Sequence, residues 1–597
     1  MEMKRLTALI LCAVLIAGLA ACGGGSQNAT TQAAQTEAQT EAATTAAATT
    51  AAATTAAATT AAETTAAAAA DSGQKQLEIT FYHWGEKPNQ MDDIMNKFNE
   101  TGGKELNMTW KTNWTPLDDY ANMIKLKLSA GEQVDACFDA QWMMLLDFIR
   151  EGNYHDMSPY FMNPDYPGLQ AAFDSNFLYN NMFGTGKTYG IPITQAYGTA
   201  PLILLRGDLR EQYGVPPVNT LQDYEAYLEA IKTNEPNMIP LTTNIKERHT
   251  DTIVNSENVL YINDEAARAG VWSGVQIATD LNVNLYVKDY KLIACALTNE
   301  PASSYVDFPA PYNQRNLGMD IMLATFARDF FEKGYLDPDF INVTSMAGVF
   351  TSGKAASMIW DTANYLSLVN TLKLAVTDAN VEVYQPSPIF REGLTGKMQG
   401  NFAAWNFMCV PITTSDEKFD RIMQFYEWMY SSWENHDLLE LGIAGKNFEP
   451  IGTSQYRLPA GVDSATNYNL PGYQLTWNPN FIRLSEDMPA DVVLYNQRGN
   501  NPETYYDPLF SGFAFDTASV ETAIANPDLA TLKEKINNIR WGIIPNVQAA
   551  FDEADAEILS NKNLMEDIAT IKQETMKQAQ EFLDARKVED AKRGISW

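Results

Sequence analysis

Between Ser26 and about Gln76 the chain is almost entirely Ala, Thr, Gln and Glu, with Ala-Ala-Ala-Thr-Thr repeating between about Ala46 and Thr60. Such a run has no large apolar side chain to bury and cannot build a core. Residues 22–76 therefore read as a disordered linker, and a folded body can begin only at Leu77. As a flexible coil of about fifty residues the linker has a root-mean-square reach on the order of 40 Å. That is enough to hold a folded body away from whatever anchors its start.

Ahead of the linker, Lys4 and Arg5 precede an apolar stretch that is shorter than the ~20 residues a membrane-spanning helix needs. This is the pattern of a cleaved export signal over residues 1–21. Leu19-Ala20-Ala21-Cys22, followed at once by glycines, resembles a bacterial lipobox, which implies that Cys22 becomes the mature N-terminus and carries lipid. The expected location is the extracellular face of the cytoplasmic membrane, with the anchor as the only membrane contact. An ordinary secretory signal would also place the protein outside the cytoplasm.

Charge narrows the partners. With 42 basic against 74 acidic side chains, a net −32, the chain repels nucleic acid and anionic lipid heads, so no nucleic-acid role is expected. Beyond Cys12 and Cys22, the remaining cysteines (Cys137, Cys295 and Cys409) sit far apart in apolar runs. They imply buried small hydrophobes and no disulfide framework.

From Leu77 the pattern alternates. Leu77, Ile79 and Phe81 alternate as one face of a strand, and Met91, Ile94, Met95 and Phe98 fall at helical spacing, closed by Gly102-Gly103. A strand near 108–112, a helix over 116–130 and a strand over 134–138 follow. Strand and helix in turn predict an α/β fold with a mostly parallel sheet, whose ligand sites lie beyond the carboxyl ends of its strands. His83, Trp84 and Glu86, and then Asp139 and Trp142, stand at such ends. Further on, the sequence predicts a helix over 221–231, a hairpin over 281–287 and 290–297, and a helix over 317–333. A strand ending on Trp360, Asp361 and Asn364, a strand over 381–384 and a helix over 418–431 come next. Residues 527–592 read as charged helix with one apolar stripe for packing: Leu564, Ile568, Ile571, Met576, Ala579, Phe582 and Leu583.

Motifs that could carry chemistry fail on context. Gly186-Lys187-Thr188 looks like the tail of a phosphate-binding loop, but its first glycine would fall on Asn181, and Pro192 blocks the helix that should follow. A turn between short strands is the better reading. Ser415-Asp-Glu-Lys418 lacks the partner motifs of Ser-x-x-Lys enzymes and opens a helix as a cap would. The four histidines, 83, 155, 249 and 436, have no metal-ligand spacing. Neither metal nor cofactor is expected. With 74 acids, some carboxylate pair always suits glycoside hydrolysis, so that signal decides nothing.

The ordered part is similar to the extracellular solute-binding lipoproteins (family 1 type) of carbohydrate ABC importers. The likeness rests on motifs in order along the chain: Gly186-Lys-Thr-Tyr-Gly-Ile-Pro192, Lys333-Gly-Tyr-Leu-Asp-Pro-Asp339 and Gly353-Lys-Ala-Ala-Ser-Met358. The run Trp428-Met-Tyr-Ser-Ser-Trp-Glu-Asn-His-Asp-Leu-Leu, with Gly442-Ile-Ala-Gly-Lys446, resembles a branch with an extra C-terminal domain. That branch usually has Glu where Ala444 stands. The resemblance implies a two-lobed periplasmic-binding-protein-like (type II) fold, with lobe 1 from 77–197 and 386–440, lobe 2 from 198–385 and 441–500, and a helical extension over 501–597. Hinges would lie near 195–204 and 384–388.

Such a protein is not an enzyme. It is a monomer that closes on a sugar or oligosaccharide and passes it to permease subunits. Sugars offer hydroxyl rims and apolar ring faces, so aromatic plates with Asp, Asn and Gln suit the lining. The candidates are His83, Trp84, Glu86, Asp139, Trp142, Asn401 and Trp405 from the first lobe and Tyr197 near the hinge. Trp360, Asp361, Asn364 and Trp477 come from the second. For each aromatic, core packing is the competing role, and Trp110 and Trp428 are assigned to it. An exported polysaccharide hydrolase or lyase and a peptide-binding or sensory surface receptor are the alternative functions.

Overall fold

The computed structural model describes residues 75–593, apart from 184, 199, 246–248, 279–280, 363–364, 401 and 465. The leader, Cys22, the linker and the candidates Asn364 and Asn401 lie outside the described residues. In chain order the strands are β1 (Leu77–Trp84), β2 (Met108–Thr115), β3 (Ala136–Ala140), β4 (Gly190–Ile193), β5 (Pro201–Arg206) and β6 (Val271–Ala278). Then come β7 (Leu281–Lys288), β8 (Lys291–Leu297), β9 (Ser357–Asp361), β10 (Val381–Tyr384), β11 (Met398–Gln399) and β12 (Asn406–Cys409).

The first body is built on a five-stranded sheet in the order β2-β1-β3-β12-β4. β1 runs parallel to β2 and β3, whereas β12 is antiparallel to both its neighbours. Four strands, β1 to β4, therefore run the same way and β12 alone runs against them, so the sheet is mostly parallel, as expected, with one reversed strand that joins it after the chain has built the second body. Alternation in β1 buries Leu77, Ile79, Phe81 and His83, and the helix Met91–Glu100 covers that face with Met91, Ile94 and Phe98. Gly102-Gly103 does more than end this helix. It opens a further turn, Gly102–Glu105, and a Cβ on Gly102 would stand 2.5 Å from Cε2 of Trp428. The glycine is a point of close approach, and Trp428 joins Trp110 in the core.

The second body has a three-stranded sheet, β10-β5-β9, with both pairings antiparallel. β9 and β10 therefore run in the same direction. Residues 239–242 extend the sheet beyond β9 through the parallel bridges Ile239 to Ala355 and Thr242 to Met358. The helices Leu221–Asn234 and Met319–Glu332 bury Tyr227, Leu228 and Phe330 against this assembly.

A third body departs from the expected division. The antiparallel meander β6-β7-β8, expected inside the second lobe, shares its core with the end of the chain. Leu285, Leu292 and Cys295 pack with Leu532, Phe551, Leu564 and Leu583, which come from the helices Pro527–Arg540, Val547–Ser560 and Lys562–Arg593. The apolar stripe of the last helix is a packing face. Arg586 is fully buried within it, paired with Asp507 and Asp590 at 2.8 Å. Among the described residues, no helix is long and apolar enough to cross a membrane. Cys137, Cys295 and Cys409 are buried free thiols.

Candidate functional site

The carboxyl ends of β1 and β3 present aromatic rings. Trp84, the last residue of β1, meets Trp142 edge-on at 6.3 Å, Phe138 at 6.1 Å and Tyr473 at 5.7 Å. Tyr473 in turn meets Trp477 at 5.7 Å. Backbone contacts fix this group to the sheet. Gln474 Nε2 donates to the Trp84 carbonyl at 2.7 Å, and Thr194 N, just past β4, donates to the Trp477 carbonyl at 3.1 Å. Trp405 is tied alongside, since Gln141 N donates to its carbonyl and Gln141 Nε2 donates to that of Ala404. Trp142 and Trp405 are 49% and 62% exposed, which is unusual for large rings and leaves apolar faces open to a ligand.

Several candidates turn out to serve the fold. His83 points away from this face and is fully buried, its ring stacked on Trp114 at 4.5 Å. Burial lowers its pKa to about 3, with the nearby Gln474 side chain opposing weakly, so the ring is neutral. Asp139 is also fully buried: Oδ1 accepts from Ala140 N and Met144 N, and Oδ2 accepts from Tyr154 OH at 2.6 Å. Burial still pushes its pKa up to about 6. With both oxygens engaged, Asp139 braces the turn that carries Trp142. Tyr197 packs between Phe177 and Phe402 and is core. Glu86 is exposed in the loop after β1. Trp477, expected from the second lobe, packs with the first sheet, because Tyr468, Leu470 and Leu475 of that segment are buried in the first core. Met488, Val492 and Tyr495, further along, do pack with the second body.

The second body carries a different kind of edge. Segment 239–242, β9 and β10 run the same way, so their carboxyl ends bring together Thr243, Trp360, Asp361 and Gln385. Trp360 is half-buried beside Leu202, and Asp361 is buried. The hydroxyls of Thr242, Thr243 and Ser387 and the Gln385 Nε2 are buried without a hydrogen-bond partner. An unmet buried polar group costs on the order of 1–3 kcal/mol, and such groups in native proteins mark a water or ligand position. Sequence reading placed Trp360 and Asp361 at a strand end but missed Thr243 and Gln385 beside them, since Pro240-Leu-Thr-Thr-Asn244 carries no periodic signal. The only cue for the Thr pair was a small polar run following an amphipathic helix.

Beneath Trp477, the Thr476 hydroxyl donates to Glu440 Oε2, and the Trp477 indole leaves no room for a side chain at Gly472, where a Cβ would stand 2.1 Å from Trp477 Cδ1. Burial raises the Glu440 pKa to about 7. Ser415 caps the helix Asp416–Tyr430, and Lys418 pairs with Asp135 at 2.8 Å, so the Ser-x-x-Lys pattern is structural. Among the described residues, no group of His, Cys, Asp and Glu could hold a metal ion.

Solved structures share this architecture. An N-glycan transport solute-binding protein (NgtS) from Streptococcus pneumoniae aligns over 85% of this chain and 99% of its own at 17% identity, with a TM-score of 0.58. Its complex with Man1GlcNAc aligns over the same shares with a TM-score of 0.53. The fold is that of the extracellular solute-binding proteins. A further solute-binding protein of this fold, HMO-binding and ABC-transporter-associated, from Bifidobacterium longum infantis, aligns over 86% of this chain and 99% of its own at 13% identity, with a TM-score of 0.52. No protein-family model and no curated protein sequence matches the chain. In the solute-binding fold found here, the aromatic face and the polar edge stand at the strand ends where open α/β sheets take ligands.

Proposed function

We propose that this chain is a lipid-anchored extracellular solute-binding protein that captures a sugar or oligosaccharide between its two lobes and delivers it to an ABC permease. The observation that carries the reading is the group Trp84, Trp142, Tyr473 and Trp477, with exposed Trp405 beside it, at the strand ends of the first sheet. Rings of this kind stack on the apolar faces of sugars, while the orphaned hydroxyls and amide of the second edge suit a hydroxyl rim. Two walls on separate bodies couple occupancy to closure, and a closed shape is what a permease can recognise. The leader and Cys22 supply the anchor, and residues 22–76 the leash.

The test is a thermal-shift screen of the purified protein against neutral and acidic oligosaccharides and peptides. A ligand at a hundred times its dissociation constant adds about 2.7 kcal/mol to folding stability, a readily measured rise in melting temperature. Stabilisation by an oligosaccharide, unaccompanied by its hydrolysis, supports the proposal. Stabilisation by peptides alone, or turnover of the glycan, overturns it.

A further inference from the structure

The helix Trp433–Glu440 presents His436 and Glu440, four residues apart and so on one face, to the segment that carries Tyr473 and Trp477. Both reach Thr476, which is fully buried. His436 Nε2 donates to the Thr476 carbonyl at 3.0 Å, and the Thr476 hydroxyl donates to Glu440 Oε2. The Trp477 indole N–H donates to the same carboxylate. Gly472 makes this meeting possible. A Cβ there would stand 2.2 Å from Trp477 Nε1 and 2.7 Å from Glu440 Oε2, so a side chain would part the indole from the carboxylate. The Gly472 carbonyl accepts from the backbone N–H groups of Leu475, Thr476 and Trp477 at 3.1, 2.9 and 3.0 Å, which winds the segment into one tight coil.

An ionised carboxylate only accepts, and here two donors meet it with charge-assisted bonds. Once protonated, the group gains an O–H of its own and loses that charge assistance, so its grip on the indole weakens. The surroundings set when this happens. Burial, with the Asp437 charge behind it, raises the Glu440 pKa to about 7 against the two hydrogen bonds that favour the ion. Asp437 itself is taken up by Arg483 at 2.7 Å. His436 is held neutral by burial, its pKa lowered to about 4. Tyr430, Tyr456 and Tyr468 face Glu440 from other segments, and burial together with its charge pushes all three phenols up, so they stay neutral. Glu434 and Asp487, which act on Asp437 and Tyr456, are exposed.

We infer that Glu440 is a positioning residue of the aromatic wall: its carboxylate holds the Trp477 indole where the ring can meet a sugar, and protonation loosens that hold, so capture weakens in acid. The inference takes its ligand from the sugar-binding reading above, and its geometry from Trp477 alone.

The test on the whole protein has two parts, and the first uses no sugar. Near-ultraviolet circular dichroism and quenching by acrylamide are followed from pH 8 to pH 6, with the W477F variant subtracted to isolate the Trp477 signal. That signal should change with a midpoint near pH 7. In E440Q, which mimics the protonated acid, it should stay at its low-pH value throughout, with the melting temperature at pH 6 unchanged. The second part measures, by calorimetry, the oligosaccharide that gives the largest shift in the thermal screen. Affinity should fall roughly threefold between pH 8 and pH 6, and E440Q should show the weaker value at both. E440A, which removes both bonds, should lose about tenfold. In a W477F background, E440Q should change affinity less than twofold. A Trp477 signal that titrates equally in E440Q, or E440A binding as tightly as the parent protein, would overturn the assignment of Glu440. If no oligosaccharide binds, the transport reading falls, while the sugar-free titration still decides whether Glu440 holds the ring.

Discussion

The strand ends of the first and second bodies differ in how they meet water. The first body offers rings whose neighbours are other rings, and Trp142 and Trp405 stay exposed. The second offers buried hydroxyls and an amide with nothing to bond. An exposed ring costs little while it waits for a ligand, whereas an orphaned hydroxyl leaves the empty state less stable than it could be. Affinity should therefore come mainly from the first wall, and the drive to close mainly from the second.

The largest effect expected from breaking this comparison lies just behind the aromatic wall. Burial depresses the pKa of His83 from 6.5 to about 3. A depressed histidine contributes stability that is present above its unfolded pKa and lost as pH falls through the window from 6.5 toward 3. His83→Phe should therefore flatten the acid limb of the stability curve by up to ~3 kcal/mol near pH 4. Glycan affinity at pH 7 should change less than twofold. Denaturant titration at pH 4 and pH 7 measures the first, and calorimetry the second. A large affinity loss at pH 7 would return His83 to the binding face.

Next in size is Trp84→Ala. Losing ~2 kcal/mol of ring stacking should weaken the best glycan of the screen roughly thirtyfold, and an unchanged dissociation constant would remove the aromatic wall from the site. A smaller and more diagnostic change is Thr243→Val, which replaces an orphaned hydroxyl by a methyl group. The empty protein should keep or gain stability, while ligand-induced stabilisation falls by about 1 kcal/mol. A destabilised empty protein would mean that the hydroxyl is satisfied without ligand. Smallest of all, Trp405→Ala should cost under threefold in affinity, because its ring is the most exposed of the group. A loss as large as that of Trp84→Ala would move the centre of the site toward β12.

Where the signal is local, the sequence was enough. The alternation of Leu77, Ile79 and Phe81, the helix from Met91 and the hairpin across Asp289-Tyr290 all stand where their own residues put them. The placement of Trp84 and Trp142 at strand ends was likewise legible, since one closes β1 and the other follows β3. What was not legible depends on contacts hundreds of residues apart. Nothing near Asp139 says that Tyr154 will take its carboxylate, and nothing near Trp477 says which sheet it will join. The meander looks like part of the second lobe until the last helix claims it. Orphaned polar groups are invisible in principle, because a sequence shows which groups can bond and never which fail to.

The last helix also gives the molecule a timetable. Gln580 receives a hydrogen bond from Leu292 N and returns one to the Tyr290 carbonyl, holding a hairpin made in the middle of the chain from its far end. At ~5–20 residues per second, that hairpin leaves the ribosome roughly 15–60 s before its cover does. Over that interval the face of β6–β8 that the C-terminal helices cover lacks them, so a third body that closes only with the final helix depends on whatever keeps the unfinished chain apart from its neighbours.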